Sequence, residues 1–366
     1  SKEREMAAIH STNSGTGSAV APARPEPTED SSADASLTVG ADAGVWTHAD
    51  MPRMWHRAMY NEETAAPVMR ELFAAQMVML EGVASGATME ETVAAARAAA
   101  TARAAGPSSG SPESRRFPER EGSLSTFVEV GCGTSEAGAV LLSRGVANWY
   151  VGLDLSQVFL TLSAALHPVL ANRDVAALIQ GDASHLESEV QGAGASTPLV
   201  REGEAEGTPV PTSLDDDGPQ GEAPAKTQPS AAVRAATQPC LVACVMNTMG
   251  ILPDCIREQV VKEMIRTAKP GGAVVIGCWC AGSFAEGVER FYKRHPELCG
   301  SITDDMVDLE SATLVNPDGP SGTYSSQWWT HERVRNLFPP ELHERVATVS
   351  VSIGVFAVLR VDESAV

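Results

Sequence analysis

The chain predicts an α/β fold: a mostly parallel, doubly wound sheet with an antiparallel strand pair at its C-terminal end. Three observations carry that expectation. Phe127-Val128-Glu129-Val130 is an apolar run carrying an acid, Gly131-Cys132-Gly133-Thr134-Ser135 follows as a glycine loop, and Tyr150-Val151-Gly152-Leu153-Asp154 is a second apolar run ending in an acid. Short apolar runs recur at residues 175–180, 241–246 and 273–278. Residues 346–352 and 355–361 then alternate or run apolar across Ile353-Gly354, the pattern of an antiparallel pair.

Each element follows in chain order. Residues 1–43 are rich in Ser, Thr, Ala, Pro and Gly without apolar periodicity and are expected to be a disordered tail. The sequence starts without Met, so a fragment or processed form is expected; Glu5, Glu26, Glu29, Asp30 and Asp34 oppose an acid-poor transit peptide. Residues 44–105 read as a helical lid, because Met54, Tyr60, Val68, Leu72, Phe73, Met77 and Leu80 recur near helical spacing and an Ala-rich stretch continues it. Residues 106–122 read as a linker into a domain spanning 123–361. Residues 136–144 form the expected helix after the glycine loop, with Ala139, Val140, Leu141 and Leu142 as its apolar face. The strand at 175–180 runs into Gly181-Asp182-Ala183. Residues 186–238, with Glu202, Glu204, Glu206, Asp215, Asp216 and Asp217 among Gly, Pro and Ala, are expected to be a disordered acidic insertion; closure cost grows only logarithmically with loop length. A fourth strand at 241–246 ends at Asn247-Thr248-Met249-Gly250. A helix at 255–268, the turn Lys269-Pro270-Gly271-Gly272 and a fifth strand follow. Residues 281–330 make a long cap segment containing Phe284, Phe291, Tyr292, His295, Asp304, Asp305, Asp308, Tyr324, Trp328 and Trp329.

The glycine loop sets the chemistry. Bare backbone at Gly131 and Gly133 lets a ligand approach closely, and Asp154 offers a carboxylate to two ribose hydroxyls. A dinucleotide site needs a small residue where Glu136 stands; a carboxylate at that helix start would repel a pyrophosphate. Glu129 instead suits a ligand bearing an ammonium or sulfonium centre. On these residues the sequence resembles the class I S-adenosylmethionine-dependent methyltransferases, whose first motif reads acid-x-Gly-x-Gly-x-Gly. Glu129, Gly131 and Gly133 match it, and Ser135 replaces the third glycine. The resemblance covers roughly residues 124–180, 240–280 and the last twenty, and the Lys-Pro-Gly-Gly turn is that family's usual entry to its fifth strand.

The resemblance implies a seven-stranded sheet and S-adenosyl-L-methionine as cofactor. It puts Glu129 on the ammonium side of the methionine moiety, Gly131, Cys132 and Gly133 beneath it, and Asp154 with Leu155 at the ribose. Asp182 with Ala183 falls at the adenine edge, and Met246 with Asn247 over the cofactor. Asp182 has a second reading, as a helix N-cap. The implied acceptor pocket draws on the lid, the loop after strand four and the 281–330 cap. Its substrate-side candidates are Tyr60, Thr248, Tyr292, Trp328 and Trp329, and its catalytic candidates are Tyr60 and His331. Each has a plainer alternative: core packing for Tyr60, Phe284, Val288 and Phe291, and a surface first-turn histidine after a Thr330 N-cap for His331. The expected reaction is methyl transfer to N or O of a small molecule rather than to C or S. Aromatics among acids favour a cationic or amine acceptor. Residues 247–250 lack the Asn/Asp-Pro-Pro-Tyr pattern of enzymes that methylate amino groups of nucleic acids and glutamine. Two other classes stay open: another adenosyl- or nicotinamide-cofactor enzyme on this fold, and a non-catalytic adenosyl-binding module.

Composition sets bounds. A net charge of −20 over 366 residues opposes a nucleic-acid partner. No run reaches the roughly 18–20 apolar residues of a membrane span. Seven scattered cysteines suggest a reducing compartment, so an intracellular and most simply cytoplasmic location is expected, with organellar import open. Cys278-x-Cys280 and Cys240-x3-Cys244 lie in or beside strands and read as packing, so no metal is expected; Asp304-Asp305 reads as a solvated loop or helix start. A homodimer is possible.

Overall fold

A computed structural model describes residues 46, 48–61, 63–105, 117–195, 230–320 and 322–365. The expected disordered tail, most of the linker and the middle of the acidic insertion lie outside the described residues. Among the described residues the strands are β1 Thr126–Val130, β2 Trp149–Asp154, β3 Ala176–Gln180, β4 Leu241–Cys244, β5 Ala273–Trp279, β6 Val307–Asp308, β7 Thr313–Asn316, β8 Tyr324–Gln327, β9 Ala347–Val351 and β10 Gly354–Arg360. Seven of them form one sheet in the order β3-β2-β1-β4-β5-β10-β9. Its first five strands are parallel, and β10 runs antiparallel to both β5 and β9. The chain winds outward from β1 to β3, then returns to the other side of β1 with β4. The carboxyl ends of β1 and β4 are therefore the topological switch point, where an open α/β sheet leaves a crevice.

Burial explains why these runs become central strands. β1, β4 and β5 are buried along their whole length, as a sheet covered on both faces requires. Side chains alternate between two cores: Phe127, Tyr150, Ala243 and Val275 face one, and Val128, Val130, Val151, Val242 and Ile276 the other.

Helices α1 Met51–Met59, α2 Pro67–Ala84 and α3 Met89–Ala104 form the N-terminal layer. They cover the first core with Trp55, Met59, Leu72 and Leu80. Thr88 and Glu91 close a reciprocal capping box at the start of α3. Helices α4 Glu136–Ser143 and α5 Gln157–Leu166 share that face. On the opposite face lie α6 Leu186–Ala195 and α7 Ala231–Thr237. These two helices correct the expectation that residues 186–238 are disordered throughout. Leu186, Val190, Ala231 and Ala235 are buried; alanine carries so little apolar signal that composition masked the packing. Helix α8 Thr248–Ile251 is a single turn after β4, and α9 Asp254–Ala268 leads into β5.

The 281–330 segment folds into α10 Phe284–Arg290, α11 Pro296–Cys299 and the three-stranded antiparallel sheet β6-β7-β8. The small sheet was not expected, since strands of two to four residues such as Tyr-Ser-Ser-Gln show almost no apolar alternation. Helix α12 His331–Arg335 begins at Thr330, whose hydroxyl accepts the Arg333 N–H. Among the described residues no helix is long and apolar enough to cross a membrane.

Candidate functional site

The glycine loop joins β1 to α4 at the switch point. Gly131, Gly133 and Ser135 all take positive φ, at 62°, 53° and 60°. Ser135 thus adopts the left-handed backbone of the glycine it replaces, at roughly 1–2 kcal/mol. Hydrogen bonds hold it there: its hydroxyl meets Ser163 Oγ at 3.1 Å, and Ser163 donates to the Gly133 carbonyl at 2.9 Å. Gly131 is fixed sterically as well, because a Cβ there would collide with the Thr248 methyl.

Asp154 closes β2 beside this loop. Its Oδ2 accepts the Gly133 N–H and its Oδ1 the Ser156 N–H, each at 2.9 Å. Loop and carboxylate therefore form one unit, and each oxygen keeps a further lone pair. Burial pushes the Asp154 carboxyl up, with the two amides opposing. Leu155 beside it is 43% exposed, an apolar side chain open to solvent. Asp182 Oδ1 accepts both the N–H and the hydroxyl of Ser184 at 2.8 Å, the N-cap geometry of the second reading. Ala183 opens that short turn of 3-10 helix.

Two glutamates flank the loop in opposite electrostatic states. Glu129 is buried and accepts the Tyr150 hydroxyl at 2.8 Å. Burial raises its carboxyl to about 8; the Tyr150 hydroxyl opposes that, and the Glu136 charge adds to it. Burial also acts on Glu136, but the His167 and His56 imidazoles and the Thr134 hydroxyl outweigh it and hold it at about 2. His56 Nδ1 is 2.5 Å from Glu136 Oε1, Thr134 donates to Oε2 at 2.5 Å, and His167 Nε2 stands 3.4 Å from Oε1. At 3.4 Å the His167 contact is electrostatic rather than an aligned hydrogen bond. An anion thus occupies the position where a dinucleotide fingerprint requires a small residue.

An aromatic roof covers the loop. A Cβ at Gly133 would stand 3.7 Å from Phe159 and 3.9 Å from Trp55 Nε1. Trp46 packs edge-on to Trp55 with centroids 5.3 Å apart, and touches Phe159 and Tyr324 at 6.5 and 6.2 Å. Tyr60, at the end of α1, packs against Phe73 and His56 at 5.1 and 5.9 Å. Burial lifts its hydroxyl well above the usual range, and the charges of Glu136 and Glu129 add to this. Cys132 is buried in the loop itself.

Several other candidates have structural duties instead. Met246 and Asn247 follow β4 with φ of 53° and 65°. The Met246 N–H donates to Gln76 of α2 at 3.2 Å. Both amide hydrogens of Asn247 are engaged, to Ser326 Oγ at 3.2 Å and the Gln327 carbonyl at 3.1 Å, and its oxygen accepts the Trp279 N–H at 3.2 Å. Asn247, expected at the cofactor, ties β4 and β5 to the cap. Thr248 lies under the loop, its hydroxyl on the Val245 carbonyl at 2.9 Å. Tyr292 and Trp328 are fully buried in the cap core: Trp328 Nε1 donates to the Tyr292 hydroxyl at 2.9 Å, which donates to Ser326 at 2.7 Å. Trp329 points to the opposite core under Arg257 and Arg333, since successive residues of an extended segment alternate faces. His331 is exposed and hydrogen-bonds Ser350 of β9 at 2.8 Å. Three strands separate β9 from β1, roughly 19 Å, so His331 is not part of the crevice.

Sequence reasoning missed His56, His167, Trp46, Trp55 and Phe159. The available signal was the concentration of Trp46, Trp55, His56 and Tyr60 within one short stretch of an aromatic-poor chain. Among the described residues no group of three or more His, Cys, Asp and Glu could hold a metal ion.

No protein-family model matches the chain, and no curated protein matches it. Solved structures of similar fold include the magnesium protoporphyrin IX methyltransferase of Synechocystis with bound S-adenosylhomocysteine, 10% identical, covering 87% of this chain and 98% of that one with a TM-score of 0.40. A Pyrococcus horikoshii protein is 14% identical over 65% of this chain and 82% of its own, with a TM-score of 0.37. An S-adenosylmethionine-dependent methyltransferase of Anabaena variabilis is 11% identical over 65% and 77%, with a TM-score of 0.36. Likenesses this loose carry no substrate or chemistry over to the present chain.

Proposed function

We propose that this chain is an S-adenosylmethionine-dependent methyltransferase acting on a nitrogen or oxygen of a small molecule. The observation that carries the reading is the Asp154 carboxylate, bonded to the Gly133 amide at the switch point of the sheet with acceptor capacity to spare. Those lone pairs suit two ribose hydroxyls. Exposed Leu155 offers an apolar surface to a purine, with Asp182 and Ala183 at its edge. The anion at Glu136 favours a cationic ligand and disfavours a pyrophosphate.

The bound donor would supply an electrophilic methyl group on a sulfonium centre. The protein's own work is then alignment and exclusion of water. Glu129 and Glu136 bracket the loop where the methionine ammonium would lie, and Trp46, Trp55 and Phe159 shield it. Tyr60, packed against His56 and Phe73, would meet the acceptor from the lid.

Titration calorimetry with S-adenosylmethionine, comparing wild type with Asp154→Ala, tests the assignment. Loss of two hydroxyl contacts to a carboxylate predicts an affinity roughly 10²-fold weaker. Equal tight binding by both proteins would remove the ribose assignment. A melting-temperature rise with a nicotinamide cofactor instead would favour a redox enzyme on this fold, and donor binding with no S-adenosylhomocysteine formed from any metabolite extract would favour a binding module.

A further inference from the structure

We propose that His56, oriented by Glu136, takes the proton from the acceptor as the methyl group is transferred; this deepens the methyl-transfer reading and rests on it. The two residues are 80 positions apart in sequence. His56 belongs to lid helix α1, whereas Glu136 opens α4 immediately after the glycine loop, and their contact joins lid to loop. The glutamate side chain is 8% exposed and the imidazole 24%. One partner is thus sealed in and the other reaches solvent.

A carboxylate on Nδ1 selects the tautomer with its proton there and leaves the Nε2 lone pair as the basic atom. Glu136 keeps its charge for this role, because Thr134 and His167 also contact it. The ring edge that carries Nε2 lies opposite the one that meets Glu136. Tyr60 packs beside the ring with centroids 5.9 Å apart, and its hydroxyl feels the charges of Glu136 and Glu129.

Helix α5, packed against α1, carries no ionisable group and is followed by His167, which meets Glu136; α11 brings Glu297, which pairs with His295 at 3.0 Å; α1 and its flank carry His48, Asp50, Arg53 and Arg57. None of these is bonded to the His56 ring.

In the step itself, the acceptor's X–H proton passes to His56 Nε2 while the X–C bond forms. The S–C bond breaks with its electron pair retained on sulfur as a neutral thioether. The imidazolium is stabilised by Glu136 and then loses its proton to solvent. Glu136 is a positioning residue in this scheme, since it acts on the acceptor only through His56.

The test uses the full chain, methyl-labelled S-adenosylmethionine and the metabolite fraction that accepts label with the wild-type protein. His56→Asn sets its amide N–H at the place of Nδ1, which keeps the tie between lid and loop, but it cannot carry a proton. It should lower kcat by roughly 10²–10⁴-fold, with S-adenosylhomocysteine affinity and melting temperature close to wild type. Glu136→Gln should lower kcat while leaving the acceptor KM near wild type, because the imidazole is no longer held in the tautomer that leaves Nε2 basic. Wild-type kcat in a folded His56→Asn, or in a folded Glu136→Gln, would overturn the proposal and leave the methyl-transfer reading intact. A wild-type protein that labels no fraction at all would overturn both.

Discussion

Replacing Glu129 by glutamine keeps the side chain's shape and an acceptor for the Tyr150 hydroxyl while removing a proton equilibrium. Burial lifts this carboxyl from 4.5 to about 8. The unfolded chain ionises near 4.5, so between that pH and about 8 the folded protein binds the extra proton. Stability contributed by this group therefore falls as pH rises through that window. At about 1.4 kcal/mol per pH unit, the loss is on the order of 3 kcal/mol at pH 7 and approaches roughly 5 kcal/mol above pH 8. Glutamine does not titrate, so the variant should gain on wild type by that slope between pH 5 and 8. Urea unfolding at four pH values, with unchanged m, measures it. A stability difference that stays flat with pH would refute the reasoning, since the carboxylate would then be ionised in the fold. The same proton links to the ligand: a cation beside Glu129 favours its charged form, so donor binding at pH 7 should release a proton. Calorimetry in buffers of different ionisation enthalpy should detect that release in wild type and not in Glu129→Gln.

Other expected outcomes concern the loops around the crevice. Asn247→Ala removes three hydrogen bonds, leaves the buried Trp279 N–H without an acceptor and forces alanine into a left-handed backbone; it should destabilise by about 3–4 kcal/mol in urea unfolding. A loss below about 1 kcal/mol would mean the cap is not held through this side chain. Gly131→Ala meets both a positive φ and the Thr248 methyl, so donor binding and stability should both fall. Adding Thr248→Ser should recover the steric part of the stability loss alone, and no recovery would show that the backbone term dominates.

Legibility in the sequence divides by the range of the interaction. β1, β2, β5 and the β9–β10 pair were readable because each is a local apolar run, and the sheet's edge hairpin turns within two residues. Ser135 in place of a glycine was visible as a departure, but its positive φ depends on Ser163, 28 residues away. Trp328 and Trp329 were visible as neighbours; which core each enters follows from extended geometry against β5, which composition does not encode. The α6 and α7 helices were lost because their buried faces are largely alanine. His56 was the least readable residue of all, since nothing local distinguishes an imidazole that will meet a buried carboxylate from one on a lid surface.

The two glutamates of the loop together explain why two imidazoles converge here, His56 from the lid and His167 from the end of α5. Glu129 and Glu136 lie within each other's electrostatic reach, so full charge on both would be repulsive in a site of low polarity. The fold resolves this by giving Glu129 two neutral donors, the Tyr150 hydroxyl and the Gly138 amide, and Glu136 two imidazoles and a hydroxyl. Near pH 7 the negative charge therefore resides on the lid side of the loop, and the acid beneath it stays neutral until a cation arrives. Pairs of carboxyls driven apart in this way mark groups with separate duties. Below the glycines the duty is to receive the donor's positive charge. Above them it is to orient the lid imidazole, and that duty is met only once α1 folds onto the first loop of the sheet.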